Sequence, residues 1–196
     1  SRMVDLPLGQ PLKQTELQHA VGQLRKSVYF SAIDVKPLQG PTADSVILQW
    51  TVSERPVVSS PATFSTVALE GVTEFPIDLA ALTLGPMPEG EADNYAVLQM
   101  IEPLYGLYYE AGFIMVTFEA DRVENDTLYL RVREGLIAAI DIQEGTETQG
   151  RVLRRNIALH VGRVLTSNDL TVSYQKLQSL GYFDDVFIDP VWADDG

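Results

Sequence analysis

Two stretches of this chain, far apart in sequence, align without a gap. "GQPLKQTELQHAVGQLRKSVYF" runs from Gly9 to Phe30, and "GRVLTSNDLTVSYQKLQSLGYF" from Gly162 to Phe183. Leu12 meets Leu165, Leu17 meets Leu170, and Leu24 meets Leu177. Such a repeat constrains the architecture more tightly than composition does, because each copy has to be one supersecondary unit.

Leu17, Ala20, Val21 and Leu24 recur at helical spacing, as do Leu170, Ser173, Tyr174 and Leu177. Each copy therefore predicts an amphipathic helix with one inward stripe. Thr15 and Ser167 stand where N-caps are expected. Gly181 occupies the place of a left-handed C-terminal cap. Val186 and Ile188 then alternate with Asp185, Phe187 and Asp189, which predicts a strand. In the first copy Val28 replaces the glycine, and a strand with Ile33 and Val35 on one face follows.

A looser middle copy is "NYAVLQMIEPLYGLYYEAGFIMVTFEADRVENDTLYLRVREG", with Gly112 in the place of Gly181. Pro103 predicts a bend or a division of its helix near Glu102, since proline removes a ladder donor and its ring clashes with the preceding turn. Ile114, Val116, Phe118 and Ala120 alternate, then Leu128, Leu130 and Val132, which predicts a hairpin turning near Glu124-Asn125-Asp126. "NDT" fits a glycosylation acceptor but reads better as that turn. "SVILQWTVSERP" is the first copy's counterpart of the second hairpin strand. "FSTVALEGVTEF" and "LIAAIDIQEGTE" predict opening strands, the latter over Ile137 to Ile142. The unit is a small α+β module ordered strand, helix, helix, strand, strand.

Composition excludes several kinds of chemistry. Cysteine is absent, so disulfides, thiolate nucleophiles and thiolate metal sites are excluded together. His19 and His160 lie in different copies, which disfavours a histidine triad or a multi-histidine metal site. No Gly-rich phosphate loop occurs. Asp184-Asp185 and Asp194-Asp195 are adjacent pairs whose members point to opposite faces of a strand. No catalytic residue, metal or cofactor is expected. The net charge of −13 disfavours nucleic acid and anionic lipid headgroups as partners. Against that field, Arg151, Arg154 and Arg155 gather on one side of a predicted helix and read as a solvated face. No apolar run is long enough to cross a bilayer as a helix.

The sequence of strand, "EG", short helix, glycine, longer helix ending in "LGYF" or "AGF", and a last strand ending in "ERP" or "REG" resembles the polypeptide-transport-associated (POTRA) domain. Such domains stand in tandem before the β-barrel of BamA-type outer-membrane assembly factors and their chloroplast import-channel relatives. The resemblance implies tandem β-α-α-β-β repeats, each a three-stranded sheet covered on one face by two helices. The boundaries are 1–60, truncated at its start and including a linker; 61–135, complete; and 136–196, truncated at its end.

It also implies a periplasmic location, no enzymatic activity, and reception of unfolded outer-membrane precursors with docking of accessory assembly subunits. The membrane would be reached only through a downstream β-barrel outside this chain. A two-partner secretion transporter is the alternative, and a single-domain division scaffold a third. Strand addition to a free sheet edge is the expected binding mode. The candidate edges are Ser31 to Val35, Ile114 to Ala120 and Asp184 to Ile188. They contain Ile33, Val35, Val116, Thr117, Phe118, Val186 and Ile188. Proline at Thr117 or Glu119 should block whichever of the two N–H groups points outward. Tyr29, Phe30, Phe113, Tyr182 and Phe183 are expected to lock helix to sheet, while Gly112 and Gly181 cap helices. Tyr105, Tyr108 and Tyr109 read as a packing group.

Overall fold

The computed structural model describes residues 11, 13–25, 27–42, 45–142, 147–181 and 186–193. The fold is mixed α+β, in two compact units. One joins Ser1–Thr63 to Pro88–Glu102, the other Phe64–Met87 to Pro103–Gly196.

In the first unit, helix α1 (Gln14–Arg25) buries Ala20 and Leu24 and leads into a hairpin of β1 (Phe30–Gln39) and β2 (Val46–Glu54). Thr15 lies inside α1 and is not its N-cap. The Lys13 carbonyl accepts the first helical bond, from Leu17 N–H, and Lys13 N–H donates to the Glu16 carboxylate at 3.4 Å. The hairpin is antiparallel, and Gly40 N–H donates to the Ser45 carbonyl at its closed end. Main-chain groups alternate sides along a strand. Ala32, Asp34, Lys36 and Leu38 therefore face β2, while Ile33, Val35 and Pro37 face away. Pro37 is tolerated because its missing N–H would have pointed to the free edge.

The segment after β2 packs onto the start of helix α3 (Asn94–Glu110). The Asn94 side-chain oxygen accepts from Val57 N–H at 2.8 Å and Val58 N–H at 3.2 Å, and its amide donates to the Arg55 carbonyl at 2.9 Å. Val57 and Val58 are buried. The proline- and serine-containing stretch is thus pinned by one side chain. Asn94→Ala should cost about 1–3 kcal/mol through the two amides it orphans, measurable by urea unfolding. A loss within error would show that water replaces the clamp.

Between these elements lie β3 (Ala62–Thr63) and β5 (Glu91–Ala92), which pair, and β4 (Thr66–Glu70) and α2 (Ile77–Leu82) of the second unit. Pro103 does not divide α3, which runs through it as one helix. At its end Phe113 N–H reaches the Tyr108 carbonyl and Gly112 N–H the Tyr109 carbonyl. Gly112 is in the left-handed region at φ +90°. This Schellman closure needs the glycine.

The sheet of the second unit has the order β4-β7-β6, with β6 spanning Thr117–Glu124 and β7 Thr127–Arg133. Central β7 is parallel to β4 and antiparallel to β6. Leu128, Leu130 and Val132 of β7, with Phe118, form the buried face. Tyr105 of α3 meets Phe118 edge-on at 4.5 Å. Ile114 and Met115 form a turn, so the strand begins later than the alternation predicts.

Helices α4 (Glu147–Asn156) and α5 (Ser167–Ser179) follow. The N-cap of α5 is Thr166, one residue before the expected Ser167; its hydroxyl accepts from Asp169 N–H, and the Asp169 carboxylate accepts in return from Thr166 N–H at 3.3 Å. Ser173, fully buried, donates to the Asp169 carbonyl and accepts from Ala158 N–H. Residues 137–142 and 186–193 form no strand. Ladder bonds need a neighbour, and among the described residues neither segment has a counterpart of β7 beside it. Ile137 instead bonds the loop before α5, donating to the Arg163 carbonyl and accepting from Gly162 N–H. Further backbone bonds, Leu165 N–H to Gly135 O and Ser167 N–H to Gly112 O, lace this short connection.

Candidate functional site

A sheet edge can receive a strand only where its main-chain groups point outward, so the phase of β6 decides what it offers. Asn125 and Asp126 have φ of 50° and 63°, a two-residue turn of type I′ that makes Glu124 and Thr127 the first hydrogen-bonded pair. Ser65 and Thr66 N–H groups reach the Asp126 carbonyl from the β4 side, at 3.0 and 3.2 Å. Thr127, Tyr129, Arg131 and Arg133 of β7 therefore face β6, and Leu128, Leu130 and Val132 face β4.

A bulge at Asp121 then shifts the pairing, so that Glu119 opposes Arg131 and Thr117 opposes Arg133. Thr117 and Glu119 lie two apart in regular strand, so their N–H groups point the same way, inward to β7. The outward groups are those of Phe118 and Ala120. The expectation that one of Thr117 and Glu119 faces out is thereby corrected. Without the extra residue, Arg131 would pair with Ala120 and the phase would be the opposite.

On β1 the outward groups belong to Ile33 and Val35, and Pro37 ends the row. Val116 is buried and precedes β6. Phe118 turns its side chain into the core while its backbone faces out. Val186 and Ile188 belong to no strand; with Leu170, Tyr174 and Gln178 of α5 they border a shallow groove.

The aromatic positions pack as follows. Tyr29 stacks on Tyr95 at 5.3 Å and donates to Glu102 at 3.1 Å. Burial first, and then the Glu102 carboxylate, push its hydroxyl pKa up to about 12. Phe30 opens β1. Phe113 meets Phe75 and Tyr108 edge-on. Gly181 has φ +65° and donates to the Gln178 carbonyl as α5 closes. Tyr182, Phe183, Asp184 and Asp185 lie outside the described residues.

The open face beside β6 is a charge ladder. Arg122 bonds Glu70 at 3.0 Å and Asp121 at 2.6 Å, with its guanidinium 3.9 Å from the Tyr129 ring centre, and Arg131 also bonds Asp121. These exposed pairs add little stability singly; both arginines converge on Asp121, the residue of the bulge.

Sequence reasoning missed Glu134. Only 6% exposed, its carboxylate accepts from Thr73 N–H, Glu74 N–H, the Thr73 hydroxyl and, at 2.6 Å, the Tyr108 hydroxyl. Burial acts to raise the Glu134 pKa, but the bonds from Thr73, Tyr108 and Glu74 outweigh it and hold the group below the ordinary carboxylate value. Burial and then Glu134 push the Tyr108 hydroxyl far up. The cluster ties the end of β7 to the loop after β4 and to α3. Among the described residues no group of acidic or histidine side chains is arranged to hold a metal.

No family model and no curated protein matches this chain. Among solved structures, the N-terminal domain of Omp85 from the thermophilic cyanobacterium Thermosynechococcus elongatus matches at 18% identity and TM-score 0.47, over 95% of this chain and 80% of that one. The chain is similar to tandem POTRA domains. POTRA1-3 of Anabaena Omp85 matches at 18% identity and TM-score 0.44, over 94% and 78% of the two chains. BamA POTRA3-5 of Haemophilus influenzae matches at 13% and 0.31, over 93% and 79%.

Proposed function

We propose that this chain is a tandem of POTRA domains, spanning 1–60, 61–135 and 136–196, from the periplasmic part of an outer-membrane protein assembly or translocation machine. It receives unfolded barrel precursors, and its role is binding rather than catalysis. Accessory assembly subunits dock on the same array. The supporting observation is the outward row of main-chain groups on strands without an outer neighbour among the described residues: Phe118 and Ala120 on β6, Ile33 and Val35 on β1. Main-chain pairing is nearly indifferent to side-chain identity, which suits a receiver of many precursors.

Ala120→Pro tests this directly. Its N–H points away from β7, so the ring removes an outward donor and blocks the edge without taking a ladder bond from the sheet. Pro37 already occupies the same phase of β1. Capture of an unfolded barrel precursor by a fragment still folded by circular dichroism should fall about tenfold, the worth of one or two hydrogen bonds. Ala120→Ser should bind as the parent does. Glu119→Pro serves as the structural control, since it breaks a bond to β7 and should destabilise the fold. A folded Ala120→Pro chain with undiminished capture would remove β6 as the receiving edge.

A further inference from the structure

The three arginines of α4 are not accounted for by strand addition. Arg151, Arg154 and Arg155 are exposed, and none forms an ion pair among the described residues. Arg163 and His160, in the loop that follows, are exposed as well. From Glu147 to Gly181 there are five basic residues against two acidic ones, in a chain of net charge −13. Of the acidic residues nearest in sequence, Glu147 opens α4 itself, Asp141 is exposed, and Asp169 is engaged in the α5 cap.

Apolar surface lies beside this basic stretch. Val161 is 60% exposed and Leu136 is 62% exposed. They are neighbours, because Gly162 N–H donates to the Ile137 carbonyl and Leu136 bridges to Val164. Guanidinium forks suit phosphate oxygens, and exposed apolar tips beside exposed basic side chains are the makeup of a surface that lies at a bilayer interface.

We propose that α4 and the loop of residues 160–163, with Leu136, dock on an anionic phospholipid surface. The chain's overall negative charge argues against such a partner. At physiological salt, however, charges more than about 8 Å away are largely screened, so the local excess of arginine governs contact. An acidic peptide would use the arginines but would leave Val161 and Leu136 without a role. The docking is separate from strand capture and does not depend on it.

The test is flotation of the chain with vesicles of equal parts phosphatidylglycerol and phosphatidylcholine, and with phosphatidylcholine alone. Binding is expected only to the anionic vesicles, and should weaken as salt is raised. R151Q/R154Q/R155Q should reduce it about tenfold or more, and Val161→Ser with Leu136→Ser should reduce it less. Circular dichroism and precursor capture should be unchanged in both variants. The proposal is overturned if the triple variant floats as the parent does, if zwitterionic vesicles bind equally, or if soluble polyglutamate displaces the chain at charge concentrations matching the vesicles. Normal flotation by Ala120→Pro shows that the two surfaces act independently. Its loss would overturn the assignment to α4.

Discussion

Replacing Glu134 by alanine should cost about 3–5 kcal/mol, the range for breaking a buried charged network by removing one member. Four donors lose their acceptor at once: two backbone N–H groups, the Thr73 hydroxyl and the Tyr108 hydroxyl. Each orphaned buried donor costs about 1–3 kcal/mol, and water entering the cavity keeps the sum below the simple total. Set against a typical domain stability of about 5–15 kcal/mol, this loss leaves the second unit marginal. Glu134→Gln keeps one acceptor oxygen and should cost less than half as much. Urea unfolding of the three proteins measures the order; alanine and glutamine equal within error would show that the carboxylate is not the organising acceptor.

Acidification probes the same group with a definite sign. Glu134 is held below its unfolded value near about 4.3. Its stabilisation is therefore fully present above that pH and is lost as pH falls through the lower folded value. The advantage of the parent over Glu134→Gln should shrink steadily below about pH 4. An advantage independent of pH down to full protonation would rule out a carboxylate-specific contribution.

The elements of the middle unit are legible in the sequence because they rest on local chemistry. Leu128, Leu130 and Val132 alternate without interruption, and the "END" turn accepts positive φ at both central residues. The glycine after "YYEA" closes α3 as its place in the repeat predicts. The phase of the receiving edge is harder to read, although a trace of it stands in the sequence. Apolar positions run Phe118, Ala120, then Val123, a slip from two to three that marks the extra residue at Asp121. Alternation taken as unbroken assigns the outward groups to Thr117 and Glu119. At the bulge Arg122 closes on Asp121 and also on Glu70, 52 residues away, a contact that no local window contains. The strand expected over 137–142, and the described part, 186–188, of the one expected over Asp184 to Ile188, do not form for the complementary reason: a strand exists only beside a partner, and among the described residues neither has one. Glu134 escapes notice because a carboxylate after a strand reads as solvated until the loop at Thr73 is brought onto it.

That loop reaches Glu134 because of Gly71, and Gly71→Ala should cost about 3 kcal/mol, the left-handed backbone and the crowding each contributing. Gly71 has φ +89°, a region that a side chain enters only with strain, and a Cβ there would lie 2.5 Å from the Val132 carbonyl oxygen. That oxygen belongs to the central strand and cannot move without disturbing the β4–β7 pairing, so the chain must shift at Gly71 instead. Thr73 and Glu74 follow two and three residues later, and their N–H groups would leave the Glu134 carboxylate. Gly90→Ala separates the two causes: its φ is +76° and a Cβ there would meet nothing within 4 Å, so only the backbone strain of about 1–2 kcal/mol remains. Urea unfolding should place Gly71→Ala clearly below Gly90→Ala, and combining Gly71→Ala with Glu134→Ala should cost less than the sum, since both release the same loop. Equal costs for the two glycines would mean the β7 backbone yields. Strict additivity of the double variant would mean the loop and the carboxylate are held independently.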